Sequence, residues 1–415
     1  LSLTRSRLKS FSVPTHTVGP SDISSLRRLE AESLHMLAGT LDSQGHGDEA
    51  GRLLQEAGRL YQDLGYRRGQ IRAQNNLANL KKDARAFDEA KALYLDALGI
   101  AREIGDRYAE GGLLSNLGTL SDHLGDFEEA FNYHRTALRV RQEIEDRRGE
   151  AISLGNLGVI AGRQNLHTAA RRYFERALVK FREIGDRWGE ALTVGNLGSV
   201  YLYLGDYAAA MSCAIAEVDT FREIGFRSGV IGAESRLALI CWHRQEYDAA
   251  LKHCTNALDI IEEIGDVSHR PHVLVHLGDT LLGLGDVSGA AEAFREALQL
   301  RRESGDRHQV VVPLAGLARA ALIQGDTKGA LGFVEELLPK LEQVDDPYYV
   351  YLTCYRVYQA GGQAARAEEV LRTAHRLLQE NAARLGDEAS RQSFLEKVWI
   401  NREIVRAYRR TQHRA

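Results

Sequence analysis

Leucine recurs every forty residues, at Leu37, Leu77, Leu117, Leu157, Leu197, Leu237, Leu277 and Leu317, and the residue after it is always small: Ala38, Ala78, Gly118, Gly158, Gly198, Ala238, Gly278 and Ala318. Thirteen residues beyond each leucine stands an alanine: Ala50, Ala90, Ala130, Ala170, Ala210, Ala250, Ala290 and Ala330. A second alanine column runs through Ala57, Ala97, Ala137, Ala177, Ala257 and Ala297, with Glu217 and Leu337 breaking it. A period this strict confines the fold. Each copy is one supersecondary unit that cannot bury its apolar faces alone, and stacked neighbours build a continuous core. At roughly 150 residues per domain, a length of 415 would suggest about three domains. The period replaces them with one quasi-linear array.

Residues 107–146 show the chemistry of a copy. Leu113, Leu114, Leu117, Leu120 and Leu124 follow helical spacing; Gly125-Asp126 breaks the helix; Ala130, Tyr133, Ala137, Leu138 and Ile144 form the stripe of a second helix. Gly tolerates φ > 0 and Asp favours turns, so Gly-Asp is a stop followed by a restart. The turn between copies reads Gly105-Asp106-Arg107, Gly185-Asp186-Arg187 and Gly305-Asp306-Arg307, with Glu145-Asp146-Arg147 as a variant. The small residues stand where two helices cross, letting the backbones approach to roughly 8–10 Å. A bulky residue such as leucine at Gly158 or Ala170 is expected to cost roughly 1–3 kcal/mol by overpacking.

These columns resemble the tetratricopeptide repeat in its order Leu-Gly … Ala … aromatic … Ala. The aromatic position is kept at Tyr94, Phe174 and Phe294 and lost at Ala214, Cys254 and Val334. The family's usual proline after the second helix is absent, and Gln62, Arg102, Gln142, Arg182, Arg222, Glu262, Arg302 and Glu342 stand there instead. The second helix can then run on to Ile104, Ile144, Ile184, Ile224 or Ile264, which accounts for the forty-residue period. The resemblance covers about residues 30–350. It implies an all-α, right-handed superhelical solenoid of antiparallel helix pairs, with eight regular repeats, a degenerate ninth and a C-terminal capping helix. The long form is similar to the arrays of kinesin light chains and of the mitotic-spindle adaptor that binds G-protein α subunits. The segment 183–210 also resembles the sensor arms of bacterial signal-transduction ATPases with numerous domains, and similar arrays occur in large bacterial transcription regulators.

Domain boundaries follow. Residues 1–20 are polar, with Pro14, Gly19 and Pro20, and read as a linker or the tail of a preceding segment; 21–387 is the solenoid; 388–415 is the capping helix and tail. After Asp345-Asp346-Pro347 the register fails, and Ala367 returns to the alanine column only if three residues are deleted. A last helix is expected over 384–408, with Phe394, Leu395, Val398, Trp399 and Ile404 on its apolar side, because a terminal repeat lacks a neighbour for one face. The start at Leu1 rather than Met leads us to expect a piece of something longer.

Composition narrows the function. The chain is 44% hydrophobic and 27% charged with a net charge of −4, too small to draw nucleic acid or a membrane. No run of 18 apolar residues offers a transmembrane helix, and no apolar leader follows Leu1. Cys213, Cys241, Cys254 and Cys354 lack metal or redox spacing and read as buried thiols in a reducing, cytoplasmic setting. No phosphate loop, dinucleotide fingerprint, nucleophile elbow or metalloprotease motif is present, so neither an enzyme nor a cofactor is expected. Glu110, Glu150 and Glu190 sit at first-helix starts, where a carboxylate favours the positive helix end. The column Arg67, Arg107, Arg147, Arg187, Arg227 and Arg307 reads as a solvated or ion-paired edge. His269, His272, His276 and Asp279 share a helical face if the helix starts before Pro271, so a metal site and a polar groove lining both stand as readings, the second favoured.

In the family, ligands lie along the concave surface made by first helices. The residue before each leucine there reads Met36, Asn76, Asn116, Asn156, Asn196, Arg236, His276 and Gly316, with Asn75 and Asn79 thickening the run. A primary amide donates and accepts at once, so it pairs with a peptide backbone without reading its sequence; the resemblance implies an extended peptide held on this ladder. The competing reading has each asparagine bonded to the neighbouring repeat. Tyr203, Trp242 and His243 then offer an aromatic platform, unless Trp242 packs on Tyr203, and Arg236, Arg319 and Arg356 would add positive charge. An extended segment with an apolar anchor and an acidic stretch would match this order. The resemblance implies a non-enzymatic, protein- or peptide-binding arm of a larger signalling ATPase or transcription regulator, with a nucleotide-binding module of the same chain as a further partner. A free-standing scaffold and a peptide-pheromone receptor stand as alternatives.

Overall fold

The computed structural model describes residues 20–304, 309–343 and 347–412. The expected linker, apart from Pro20, and the turn at Gly305, Asp306 and Arg307 lie outside them. Among the described residues there are twenty α-helices, one short 3-10 segment and no strand. They fall into two compact units, residues 1–153 and 154–415.

The first unit contains α1 (Pro20–Ser43), α2 (Gly47–Asp63), α3 (Arg67–Asp83), α4 (Phe87–Glu103), α5 (Arg107–His123) and α6 (Phe127–Glu143). Helix α7 (Arg147–Arg163) spans the boundary. The second unit continues with α8 (His167–Glu183), α9 (Arg187–Tyr203), α10 (Tyr207–Glu223), α11 (Arg227–His243), α12 (Tyr247–Ile264), α13 (Arg270–Leu284), α14 (Val287–Glu303), α15 (Val311–Ile323) and α16 (Thr327–Leu337). After the 3-10 segment Leu338–Gln343, where Pro339 forbids further α-helix, come α17 (Tyr348–Ala360) and α18 (Ala364–Arg384). These two form the degenerate ninth pair, and Ala367 is buried as the alanine column requires. Odd-numbered helices are the first helices of each pair. They approach one another directly, α3 with α5 in the first unit and α9, α11, α13, α15 and α17 in series in the second, so each unit has an inner face made of first helices.

The turns work as their residues dictate. Gly125 takes φ 78°, a left-handed conformation open to glycine, and Asp126 then accepts the backbone N–H of Glu129 at 3.0 Å and caps α6. Asp106, Asp186, Asp206, Asp286 and Asp326 cap their helices in the same way. Arg85, Glu145, Asn165 and Gln245 replace the glycine and still adopt positive φ.

Inside a pair, the small column and the aromatic column, sixteen residues apart, complement each other in volume. A Cβ on Gly158 would lie 2.6 Å from the Phe174 ring, one on Gly278 2.6 Å from Phe294, and one on Gly118 2.7 Å from His134. Where the small residue is Ala38, Ala238 or Ala318, its partner shrinks to Leu54, Cys254 or Val334. The apparent losses in the aromatic column at Cys254 and Val334 are thus matched substitutions in a close-packed core; Ala78 with Tyr94 and Gly198 with Ala214 do not follow the rule.

The arginine column forms an ion-paired edge. Arg67, Arg107, Arg187 and Arg227 each pair with a glutamate thirty-six residues on: Glu103, Glu143, Glu223 and Glu263. Glu110 is clamped by Arg102 at 2.9 Å and Arg107 at 2.5 Å, and Glu190 by Arg182 at 2.8 Å and Arg187 at 2.7 Å. The Arg–Glu pairs thirty-six residues apart are exposed, contribute up to about 1 kcal/mol each and close each helix pair on itself, while Arg102 and Arg182 reach a glutamate of the next pair.

The C-terminus departs from expectation. The single helix expected over 384–408 is broken into α19 (Glu388–Glu396) and α20 (Trp399–Gln412). The break is stabilised by Asn401, whose buried side-chain amide donates to the Phe394 carbonyl at 2.9 Å and satisfies an orphan group at the end of α19. The pair folds back onto the inner face of the second unit. Phe394, Val398, Ile400 and Ile404 join one apolar cluster with Leu197, Val200, Leu204, Trp242 and Tyr348.

Candidate functional site

On the inner face of the first unit the asparagines form a chain of hydrogen bonds. Asn116 donates to Asn75 at 2.7 Å, Asn75 to Asn76 at 3.3 Å, and Asn76 meets the His35 ring at 2.9 Å. Asn79 accepts the Tyr94 hydroxyl at 2.5 Å. Two of these bonds, Asn116–Asn75 and Asn76–His35, cross from repeat to repeat, and Asn75, Asn76, Asn79 and Asn116 all remain partly exposed. Each primary amide has four hydrogen-bonding sites, so the inter-repeat bonds orient the amides without exhausting them. In the second unit, Asn156 and Asn196 are likewise partly exposed on α7 and α9.

The aromatic platform of the second unit is covered. Tyr203 lies between His167, with ring centroids 3.6 Å apart, and Phe394, 4.9 Å apart. Trp242 belongs to the same apolar cluster, against which Tyr203 packs. It meets Tyr349 at 5.1 Å and Trp399 at 5.5 Å, edge to face, and its indole N–H donates to the Asp279 carbonyl at 3.2 Å. His243 stacks on Tyr207, and burial holds its imidazole neutral, with a pKa lowered to about 4. The residues that cover this face come from α17 and the C-terminal segment. Sequence reasoning placed Phe394 and Trp399 on a cap and missed them here, because no period relates them to the groove.

Two of the three arginines expected to add positive charge are paired. Arg236 is tied to Glu217 at 3.0 Å and to the Ser199 hydroxyl. Arg319 is buried, paired with buried Asp279 at 2.6 Å, bonded to the Tyr349 hydroxyl, and stacked over the Tyr349 ring at 4.1 Å. Arg236 and Arg319 are thus each paired with a carboxylate, while Arg356 is exposed. Asp279 and Arg319 stand one period apart, two residues after successive column leucines, and that spacing was the available signal.

The histidine constellation divides. His269 precedes α13 and turns to Asp266 at 2.8 Å, while His276 meets His272 at 3.3 Å. Burial lowers His276 well below its usual value. Among the described residues no three His, Cys, Asp or Glu side chains gather into a metal-holding group. Cys254 and Cys354 are buried, which pushes their thiols up to about 12 and keeps them protonated.

Between the C-terminal segment and the first helices lies a cavity of about 260 Å³. Tyr203, Trp242, His243, His276, Arg319 and Phe394 are among its walls, so the structure brings five of the sequence-predicted residues into one space. Among the described residues no helix is long and apolar enough to cross a membrane.

Tetratricopeptide repeat family models match residues 71–104, 110–183, 193–215 and 230–303. No curated protein matches the sequence. Among solved structures, a signal transduction ATPase with numerous domains, carrying a tetratricopeptide repeat sensor, from Pyrococcus horikoshii aligns with a TM-score of 0.55 and 16% identity. That alignment covers 80% of this chain and 50% of the other, so the chain spans about half the length of that protein. The apo quorum sensor NprR from B. thuringiensis aligns with a TM-score of 0.60 at 14% identity, over 82% of this chain and 91% of that one. A Rap protein complexed with competence and sporulation factor gives 0.54 at 16% identity, over 83% and 98%. None of the matching family models describes an enzyme. With its repeat columns, its stacked helix pairs and these matches, the chain belongs to the tetratricopeptide repeat family.

Proposed function

We propose that this chain is a non-enzymatic binding module that holds a protein or an extended peptide on the inner face of its first helices. The observation that supports this reading is the row of partly exposed amides at Asn75, Asn76, Asn79 and Asn116, oriented by the inter-repeat bonds Asn116–Asn75 and Asn76–His35 and, at Asn79, by Tyr94 of the same helix pair. Such amides pair with the N–H and C=O groups of an extended backbone whatever its side chains, while neighbouring pockets read the side chains. The second unit presents candidate residues of its own: Asn156, Asn196, Tyr203, Trp242, His243, Arg236, His276 and Arg319.

The module serves as the sensing or partner-binding arm of a larger cytoplasmic signalling ATPase or transcription regulator, with a nucleotide-binding module as a partner in the same polypeptide. The likeness to one half of a sensor-bearing ATPase supports this. Affinity capture with the wild-type chain and with an Asn116→Ala, Asn156→Ala, Asn196→Ala variant tests it. Loss of the captured partner from the variant agrees with the reading; equal capture contradicts it.

A further inference from the structure

We infer that the inner face of the second unit is a docking surface for an aromatic-anchored polypeptide segment, and that the chain's own residues 385–401 occupy it as a displaceable stand-in. The inference deepens the peptide-binding reading above and rests on it.

Three observations carry it. The first is chemical. The segment is seated by aromatic anchors, Phe394 on Tyr203 and Trp399 on Trp242 and Tyr349, with Val398 and Ile400 filling the space between. Aromatic residues seated in a desolvated groove on amphipathic helices are how helical segments are recognised in trans. The polar contacts of its outward end are few and long: Gly386 N–H to Thr168 and Tyr207 hydroxyl to the Lys397 carbonyl, at 3.4 and 3.5 Å.

The second is packing. The segment does not fill the face: a pocket of about 260 Å³, partly open to solvent, lies between the two. The buried His243 Nδ1 on its wall has no hydrogen-bond partner, nor has the buried Nε1 of the anchor Trp399. Buried polar groups are ordinarily satisfied, so the segment fits the face less completely than another occupant could. The third is length. Helix α19 has nine residues, below the roughly 12–15 that make an isolated helix marginally stable in water; its order depends on the face it covers. The partner that fits is therefore a segment with two aromatic anchors about five residues apart, aliphatic residues between them, and a hydrogen-bond acceptor for the His243 edge.

The test uses the full-length chain and a fluorescein-labelled synthetic peptide of residues 384–412. The double variant Phe394→Ala, Trp399→Ala weakens the resident segment and leaves the floor untouched. It is expected to bind the peptide at least tenfold more tightly than the wild-type chain, with helicity unchanged by circular dichroism. Equal affinity for both proteins, or no binding to a folded variant, overturns the inference. Should the variant unfold, hydrogen exchange on the wild-type chain decides. Amides of 388–396 are expected to exchange at least a hundredfold faster than those of 190–203, and equal protection overturns the inference. Failure here leaves the first unit's amides, Asn75, Asn76, Asn79 and Asn116, unaffected, since the peptide reports on the second unit alone.

Discussion

Phe394 stacks on Tyr203 across a sequence separation that no repeat period links, with ring centroids 4.9 Å apart and planes inclined by 21°. Phe394 is 1% exposed, and the opposite side of Tyr203 is taken by His167. Truncating a buried phenylalanine costs about 3–5 kcal/mol where the site cannot collapse. Because α19 can peel away and leave the helix pairs standing, Phe394→Ala is expected at the lower end, about 3 kcal/mol, in urea unfolding of the second unit. Exposed Lys397→Ala should stay within about 0.5 kcal/mol.

The matched columns predict a compensating pair. Gly158→Ala alone forces its Cβ against Phe174 and should destabilise by about 1–3 kcal/mol. Adding Phe174→Leu recreates the Ala38–Leu54 combination and should recover at least half of that loss. A double-mutant cycle by denaturant unfolding measures the coupling; additive effects would show that the two positions do not share one volume.

Much of this fold was legible because each repeat packs mainly on its neighbours. The Leu, small-residue and Ala columns, the Gly-Asp turns with their capping aspartates, and the Arg–Glu edge are all local or one period long, so they appear as columns. The coverage of Tyr203 and Trp242 was not legible. It depends on Phe394 and Trp399 returning from the far end of the chain, and their spacing is equally consistent with a plain end cap. The neutralisation of Arg319 by Asp279 lies between these cases: the two sit in the same column one period apart, but only the coordinates show both to be buried.

That buried pair yields a prediction of its own. Removing one partner strands the other charge in the interior, so Arg319→Met is expected to cost about 3–5 kcal/mol. The double variant Asp279→Leu, Arg319→Met removes both charges and should recover most of it. Thermal unfolding of the three proteins distinguishes this from a purely packing role, in which the double variant would be the least stable.

Stability should depend on pH through buried histidines. Burial lowers His134, His167 and His243 to about 4, while in the unfolded chain they titrate near 6.5. The unfolded state therefore binds more protons between these values, and stability falls as pH drops from about 6.5 to about 4. His134→Leu should flatten this slope in urea titrations at pH 7, 6 and 5; an unchanged slope would show that His134 does not contribute.

An amide-bearing inner face that takes an extended peptide should select such peptides from a random pool. A random twelve-residue peptide library selected on the full-length chain, with recovered peptides titrated against wild type and the Asn116→Ala, Asn156→Ala, Asn196→Ala variant, tests this most directly. Recovered peptides are predicted to bind the variant at least tenfold more weakly while its melting temperature stays near that of the wild type. Peptides that bind both proteins equally would contradict the account.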